Sequence, residues 1–164
     1  MTAGPTAPRP ATVAHAFADL MNGHDPDAVD GFVAVDYVNH NPFVADGREA
    51  NRAFWAQWFA AFPDTAVTLD DVLVDGDRVA GRFTYRATFA GEFLGLAPTG
   101  RPVVMHSIDI WRVVDGVAVE HWDQLDGQAF FAQLTGADAA PTATDTTAPA
   151  ATDTTTGAAG GGDA

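Results

Sequence analysis

Cysteine and lysine are both absent from this 164-residue chain. Without cysteine there is no disulfide framework, no thiol nucleophile and no cysteine-ligated zinc. Positive charge is scarce. All eight basic residues are arginines, set against 22 acidic residues, and the formal charge is −14. A nucleic-acid duplex or an anionic membrane surface would be repelled, so neither is expected as a partner, and the acidity reads as solubility. No apolar run approaches membrane-spanning length, and the N-terminus lacks a charged segment followed by an apolar one. A cytoplasmic enzyme or binding protein acting on a small molecule is the default.

The two ends also lack core-forming residues. Met1 to Pro10 is small residues and proline, and from Ala137 onward there is no aromatic residue and no Leu, Ile or Val. Such segments cannot bury enough surface to offset their ordering entropy. Residues 1–10 and 137–164 are therefore expected to be disordered, with one domain over 11–136.

Within that domain the apolar period changes once. Thr12 to Met21 places Val13, Phe17 and Leu20 at helical spacing, and Asn22-Gly23 stops it. Asp25-Pro26 opens a short helix to about Phe32, and 35–42 reads as an irregular polar-aromatic connection. A third helix spans about Gly47 to Phe62. Its aromatic stripe (Phe54, Trp55, Trp58, Phe59, Phe62) reads as core. Thereafter the period is two. Residues 66–74 and 78–89 form a hairpin about Asp75-Gly76-Asp77, with Phe83, Tyr85, Ala87 and Phe89 on the apolar face. A second hairpin turns at Asp115-Gly116, and a last helix covers about Gly127 to Leu134. Helices first and a meandering sheet afterwards predict an α+β domain with helices packed on a curved antiparallel sheet.

The second hairpin carries the chemistry. VVMHSIDIWRVVDGVAVEHWDQL (103–125) sets His106, Asp109, His121 and Asp123 among Met, Ile, Trp and Val. Burial there would raise a carboxyl pKa toward neutrality. Register decides whether the two aspartates meet. A two-residue turn at Asp115-Gly116 would put them on opposite faces. A three-residue loop with Gly116 as a left-handed bulge residue would oppose Asp109 to His121 and Ser107 to Asp123. The bulged turn is preferred, because it leaves His106, Ile108, Ile110 and Trp122 as a mainly apolar layer on the other side. One face would then display Ser107, Asp109, Trp111, Val119, His121 and Asp123, with the acids as diagonal neighbours. Two acids so placed cannot both ionise cheaply, which favours proton transfer by one of them. The competing structural reading is a satisfied Asp109–His121 pair, with Asp123 facing only solvent. His40, His106, Asp109, His121 and Asp123 are metal-ligating types, but this register separates His106 from the rest.

Five ordered segments carry a resemblance: YVNHNP (37–42), FPD (62–64), DDVLVDGDRVA (70–80), GEFLGLAPTG (91–100), and RVVDG with VEHWD (112–116 and 119–123). Together they resemble the SnoaL-like polyketide cyclases over about Ala11 to Thr135. That family has the cone-shaped α+β barrel shared with nuclear transport factor 2 and ketosteroid isomerase. The resemblance implies intramolecular aldol ring closure with no metal or organic cofactor. Asp123 matches the acid/base aspartate by its spacing from the Asp-Gly turn. Asp109 replaces the histidine of the anthracycline cyclases, as in the broader SnoaL-like group, and would tune Asp123 or relay its proton. Asn39, His40 and His121 are the implied carbonyl-binding residues. Phe17, Trp55, Phe59, Phe83, Tyr85, Trp111 and Ser107 are candidates for the pocket.

The same fold also hosts ketosteroid-isomerase-like enzymes, epoxide hydrolases and non-catalytic binding or dimerising modules. The hydrolases place an arginine two residues before one aspartate, where this chain has Ser107. A homodimer or dimer of dimers, using the outer sheet face around Arg82, Thr84, Arg86, Ile108 and Ile110, is the expected assembly. An apolar cavity with Asp123 at its bottom would favour an enzyme, and a cavity filled with Trp and Phe would favour a structural role.

Overall fold

Local chemistry sets where each element starts and stops in the computed structural model, which describes residues 10–137. Helix α1 (Ala11–Gly23) buries Val13, Phe17, Leu20 and Met21 and ends where His24 turns left-handed at φ 52°. Asp25 accepts from the Asp27 amide at 3.0 Å and Pro26 pre-sets the first dihedral, opening a short 3-10 helix over Pro26–Gly31. Helix α2 (Arg48–Ala61) ends immediately before Phe62-Pro63 because the residue preceding a proline is pushed out of the helical region. Helix α3 (Gly127–Thr135) stops at Gly136, in the left-handed region. Of the tails expected over 1–10 and 137–164, residues 1–9 and 138–164 lie outside the described residues.

Five strands follow the predicted period-two segments, with one addition. β2 (Ala66–Asp75), β3 (Arg78–Thr88), β4 (Pro102–Val114) and β5 (Val117–Leu125) form the antiparallel meander. Val33–Asn39, expected as part of an irregular connection, is a strand, β1, running parallel to β5. Sheet order is β1-β5-β4-β3-β2, so the sheet is mixed rather than antiparallel. Among the described residues it is open, not a closed barrel. β1 escaped the sequence pattern because it pairs on one side only and its register slips between Val33 and Val38. Its burial does not alternate. Val33 and Tyr37 are buried, whereas Val35 between them is exposed.

The core lies between the helices and the inner sheet face, as expected for Phe83, Tyr85, Ala87 and Phe89. Trp58 and Phe62 of the α2 stripe join it at near-zero exposure, while Phe54, Trp55 and Phe59 are only partly buried. The loop from 89 to 101 folds back onto the end of α2, where Gly91 donates to the Ala61 carbonyl at 2.9 Å. A Cβ at Gly91 would run into the Ala60 carbonyl oxygen, so only glycine permits this approach. The loop delivers Phe93 to the rings of Trp58 and Phe62, closing one end of the interior.

Candidate active site

Strand β4 meets β5 through a two-residue turn, with Asp115 at φ 50° and Gly116 at φ 83°. Positive φ at both positions is the type I′ geometry, not the three-residue loop expected. That turn alone would pair Asp109 with Trp122 and send Asp123 to the far face. The register changes once between Arg112 and Val113, however, and Val119 is the extra residue. This bulge slips the ladder by one residue, and a slip of one flips every side chain to the other face. Asp109 then opposes Asp123 directly, Trp111 opposes His121, and Ser107 opposes Leu125. The aspartates share the inner face as predicted, but as a facing pair rather than a diagonal one. Ala118, fully buried, takes the inward place expected for Val119.

Around these acids runs one hydrogen-bond chain. Ser107 Oγ donates to Asp109 Oδ2 at 2.5 Å, and Tyr85 Oη lies 3.3 Å from the same Ser107 oxygen. Asp109 Oδ1 is 3.0 Å from His121 Nε2, and His121 Nδ1 is 3.2 Å from Asn39 Oδ1. The Asn41 backbone N–H also donates to Asn39 Oδ1, at 3.0 Å, which identifies that atom as the amide oxygen. His121 Nδ1–H is therefore the partner suited to Asn39 Oδ1, while Nε2 faces the Asp109 carboxyl. The imidazole stacks with Trp111 at 5.3 Å and with Tyr37 at 6.2 Å, which holds its plane. Asp109 is 4% exposed and both its oxygens are engaged.

Asp123 differs. It is partly buried, and Asn41 Nδ2 donates to its Oδ2. The Phe43 backbone N–H donates to Asn41 Oδ1 at 2.8 Å, so the amide presents its N–H side to the carboxylate. Burial raises the Asp123 pKa. The Asn41 hydrogen bond and the His121 charge oppose that rise, and the facing Asp109 adds to it. Tyr37 and Tyr85 are both raised, chiefly by burial, and so stay protonated as hydroxyl donors. The neighbouring Trp111 side chain offsets part of the Tyr37 rise.

These groups form the polar end of a cavity of about 800 Å³ of non-atom space, part of it open at the mouth. Of the predicted site residues, Asp109, His121, Asp123, Asn39, Phe17, Trp55, Tyr85 and Trp111 line it. Four others do not. His40 lies on the outer face, 3.1 Å from Glu120 and stacked on Trp122 at 4.9 Å. Phe83 is fully buried behind Phe17, 5.2 Å away, and Phe59 packs beside His24 at 5.4 Å. Ser107 sits beneath Asp109 and supports it. Tyr37, Asn41, Asn51, Phe54 and Trp58 line the cavity without having been anticipated there, as do Phe93 and Phe130. Alternation along 37–41 was the signal available. Reading that segment as a strand places Tyr37, Asn39 and Asn41 on one side and His40 on the other.

Metal-ligating atoms of Asp109, His121 and Asp123 lie within 4.8 Å of one another. A cation there would have to break the His121 contacts to Asp109 and Asn39, so the donor set is already committed to itself. His106 pairs with Asp126 on the outer face at 2.9 Å, which removes it from any such set.

The SnoaL-like polyketide cyclase family model matches residues 11–134. The chain belongs to that family. Among solved structures, this SnoaL-like chain is 32% identical to TsrD from Streptomyces laurentii, with a TM-score of 0.71 over 76% of this chain and 92% of that one. It is 33% identical to IdmH from Streptomyces antibioticus, a candidate polyketide cyclase, with a TM-score of 0.65 over 77% and 99%. AclR from Streptomyces galilaeus, named as a candidate hydroxylase, is 27% identical with a TM-score of 0.71 over 81% and 85%. No curated protein matches the chain. Among the described residues no helix is long and apolar enough to cross a membrane.

Proposed function

We propose that this SnoaL-like protein closes a ring in a polyketide-like carbonyl substrate by an intramolecular aldol reaction, with Asp123 as the acid/base group. One observation carries the reading. Asp123 stands at the polar end of a mainly apolar cavity with its proton affinity raised by burial, while the facing Asp109 is engaged by Ser107 and His121. In the step, Asp123 takes a proton from a carbon flanked by two carbonyl groups. The resulting enolate carbon bonds to a second carbonyl carbon of the same molecule. The alkoxide so formed takes the proton back from Asp123, and no other reactant is consumed. The Tyr37 hydroxyl, kept protonated by burial and lining the same cavity, would hydrogen-bond the enolate oxygen. Holding both ends of a flexible chain in attack geometry supplies up to about 7–11 kcal/mol of the barrier reduction.

Deuterium wash-out from the central carbon of ethyl benzoylacetate, followed by NMR, tests the proton-transfer half of this scheme. Wild-type protein should accelerate exchange, and Asp123→Asn should lose roughly 10²–10⁴-fold of that acceleration with an unchanged circular dichroism spectrum. Equal exchange in both proteins would leave a small-molecule-binding module instead. The proposed assembly is a homodimer through the outer sheet face, where Ile108 is exposed beside Arg82. Light scattering giving a monomer mass would overturn it.

A further inference from the structure

Asn51, in the second turn of α2, is 6% exposed and lines the cavity from the helix side. Its amide orientation is settled by a neighbour. Trp55 Nε1 can only donate, and it meets Asn51 at 3.0 Å, so the atom it meets is Oδ1. Nδ2 donates to no acceptor among the described residues and is not among the atoms sealed from solvent, so its two hydrogens remain accessible from the cavity that Asn51 lines. Around it the α2 wall is aromatic, built from Phe54, Trp55 and Trp58. The amide is shielded from bulk water but open to the cavity, where a ligand oxygen can accept from it. Apolar pockets owe their selectivity to a few such isolated polar groups.

We propose that Asn51 Nδ2 donates a hydrogen bond to a carbonyl oxygen of the bound molecule, separate from the carbonyls that react at Asp123. Asn51 is then a specificity-determining residue, and the substrate class is a mainly apolar, ring-forming molecule with a further keto oxygen facing α2. This rests on the reading of the cavity as a carbonyl-substrate site. Asn51 takes no part in the proton transfer itself.

Binding of 1-tetralone and of tetralin, which share a bicyclic frame and differ by the keto oxygen, tests the assignment by Trp fluorescence or calorimetry. Wild-type protein should prefer tetralone by about tenfold. In ¹⁵N-labelled protein the Asn51 side-chain amide resonances should move with tetralone and stay in place with tetralin. Asn51→Asp keeps the acceptor for Trp55 but exchanges both N–H donors for an acceptor oxygen, and it should abolish the preference. Asn51→Leu should do the same while leaving tetralin affinity within about twofold. Asp123→Asn should retain the preference, so failure of the proton-transfer scheme and failure of this assignment are separate results. A wild-type protein with no preference, or an Asn51→Asp variant that keeps it, would overturn the proposal.

Discussion

The two faces of the β4–β5 hairpin carry the same residue types to opposite ends. Inside, His121 pairs with Asp109 at 3.0 Å, with side chains 10% and 6% exposed. Outside, His40 pairs with Glu120 at 3.1 Å, with side chains 44% and 22% exposed, and His106 pairs with Asp126. Distance does not separate the pairs. Solvent does. The outer pairs sit where water screens charge and competes for every hydrogen bond, so each contributes little. The inner pair sits against Trp111 and Tyr37, where leaving either partner alone is costly. The outer face also engages its arginines, Arg112 with Glu120 at 2.8 Å and Arg78 over the Trp122 ring at 4.7 Å. A histidine beside an acid is chemistry only where the surroundings make the proton's position matter.

The strongest way to break this contrast is through turnover. Asp123→Asn should remove roughly 10²–10⁴-fold of the activity, whereas Asp126→Asn, just past the end of β5 and paired with His106 on the outer face, should leave it within about twofold. Next is stability. Asp109→Ala leaves His121 and Ser107 buried without their partner and should cost about 3–5 kcal/mol in urea denaturation. Glu120→Gln should leave the urea midpoint where it is. A destabilised Glu120 variant beside an unaffected Asp109 variant would reverse the assignment of the two faces.

A smaller effect concerns pH. The Asn41 N–H stabilises the charged form of Asp123, so removing it favours the protonated form and raises the pKa further. Activity that needs the carboxylate rises with pH through that pKa. The acid limb of kcat/KM in Asn41→Leu should therefore move to higher pH, with the plateau at high pH reduced about tenfold or less. A limb that moved to lower pH would contradict the geometry. Smallest of all should be His40→Ala, one residue away but on the outer face, with less than a twofold change in kcat/KM and no shift of the limb.

Much of the frame was legible in the residues. Three helices, two hairpins and the inward set of β3 follow from apolar period, prolines and Asp-Gly turns, all of which act within a few residues. So does the crowding of titratable groups on the second hairpin. The preference for a shared face of Asp109 and Asp123 held, yet the device that creates it was misplaced, in the turn rather than at Val119. A bulge in a run of Val, Ala and Val carries no local mark, since each of those residues fits either face. His40 was misassigned for a related reason, because β1 is recognisable as a strand only once β5 lies beside it.

What the chain determines by itself, then, is the element order and the pair of carboxyls on one hairpin, because both arise from interactions between near neighbours. Tertiary structure alone decided which acid is tied up and which is left open to the cavity. Asp109 is occupied because His121 reaches it across from β5 while Ser107 meets it along β4, and Asp123 faces the cavity with Asn41 beside it because β1 docks parallel to β5. Proton affinity depends on burial and on partners that are distant in sequence, and folding is the event that sets both.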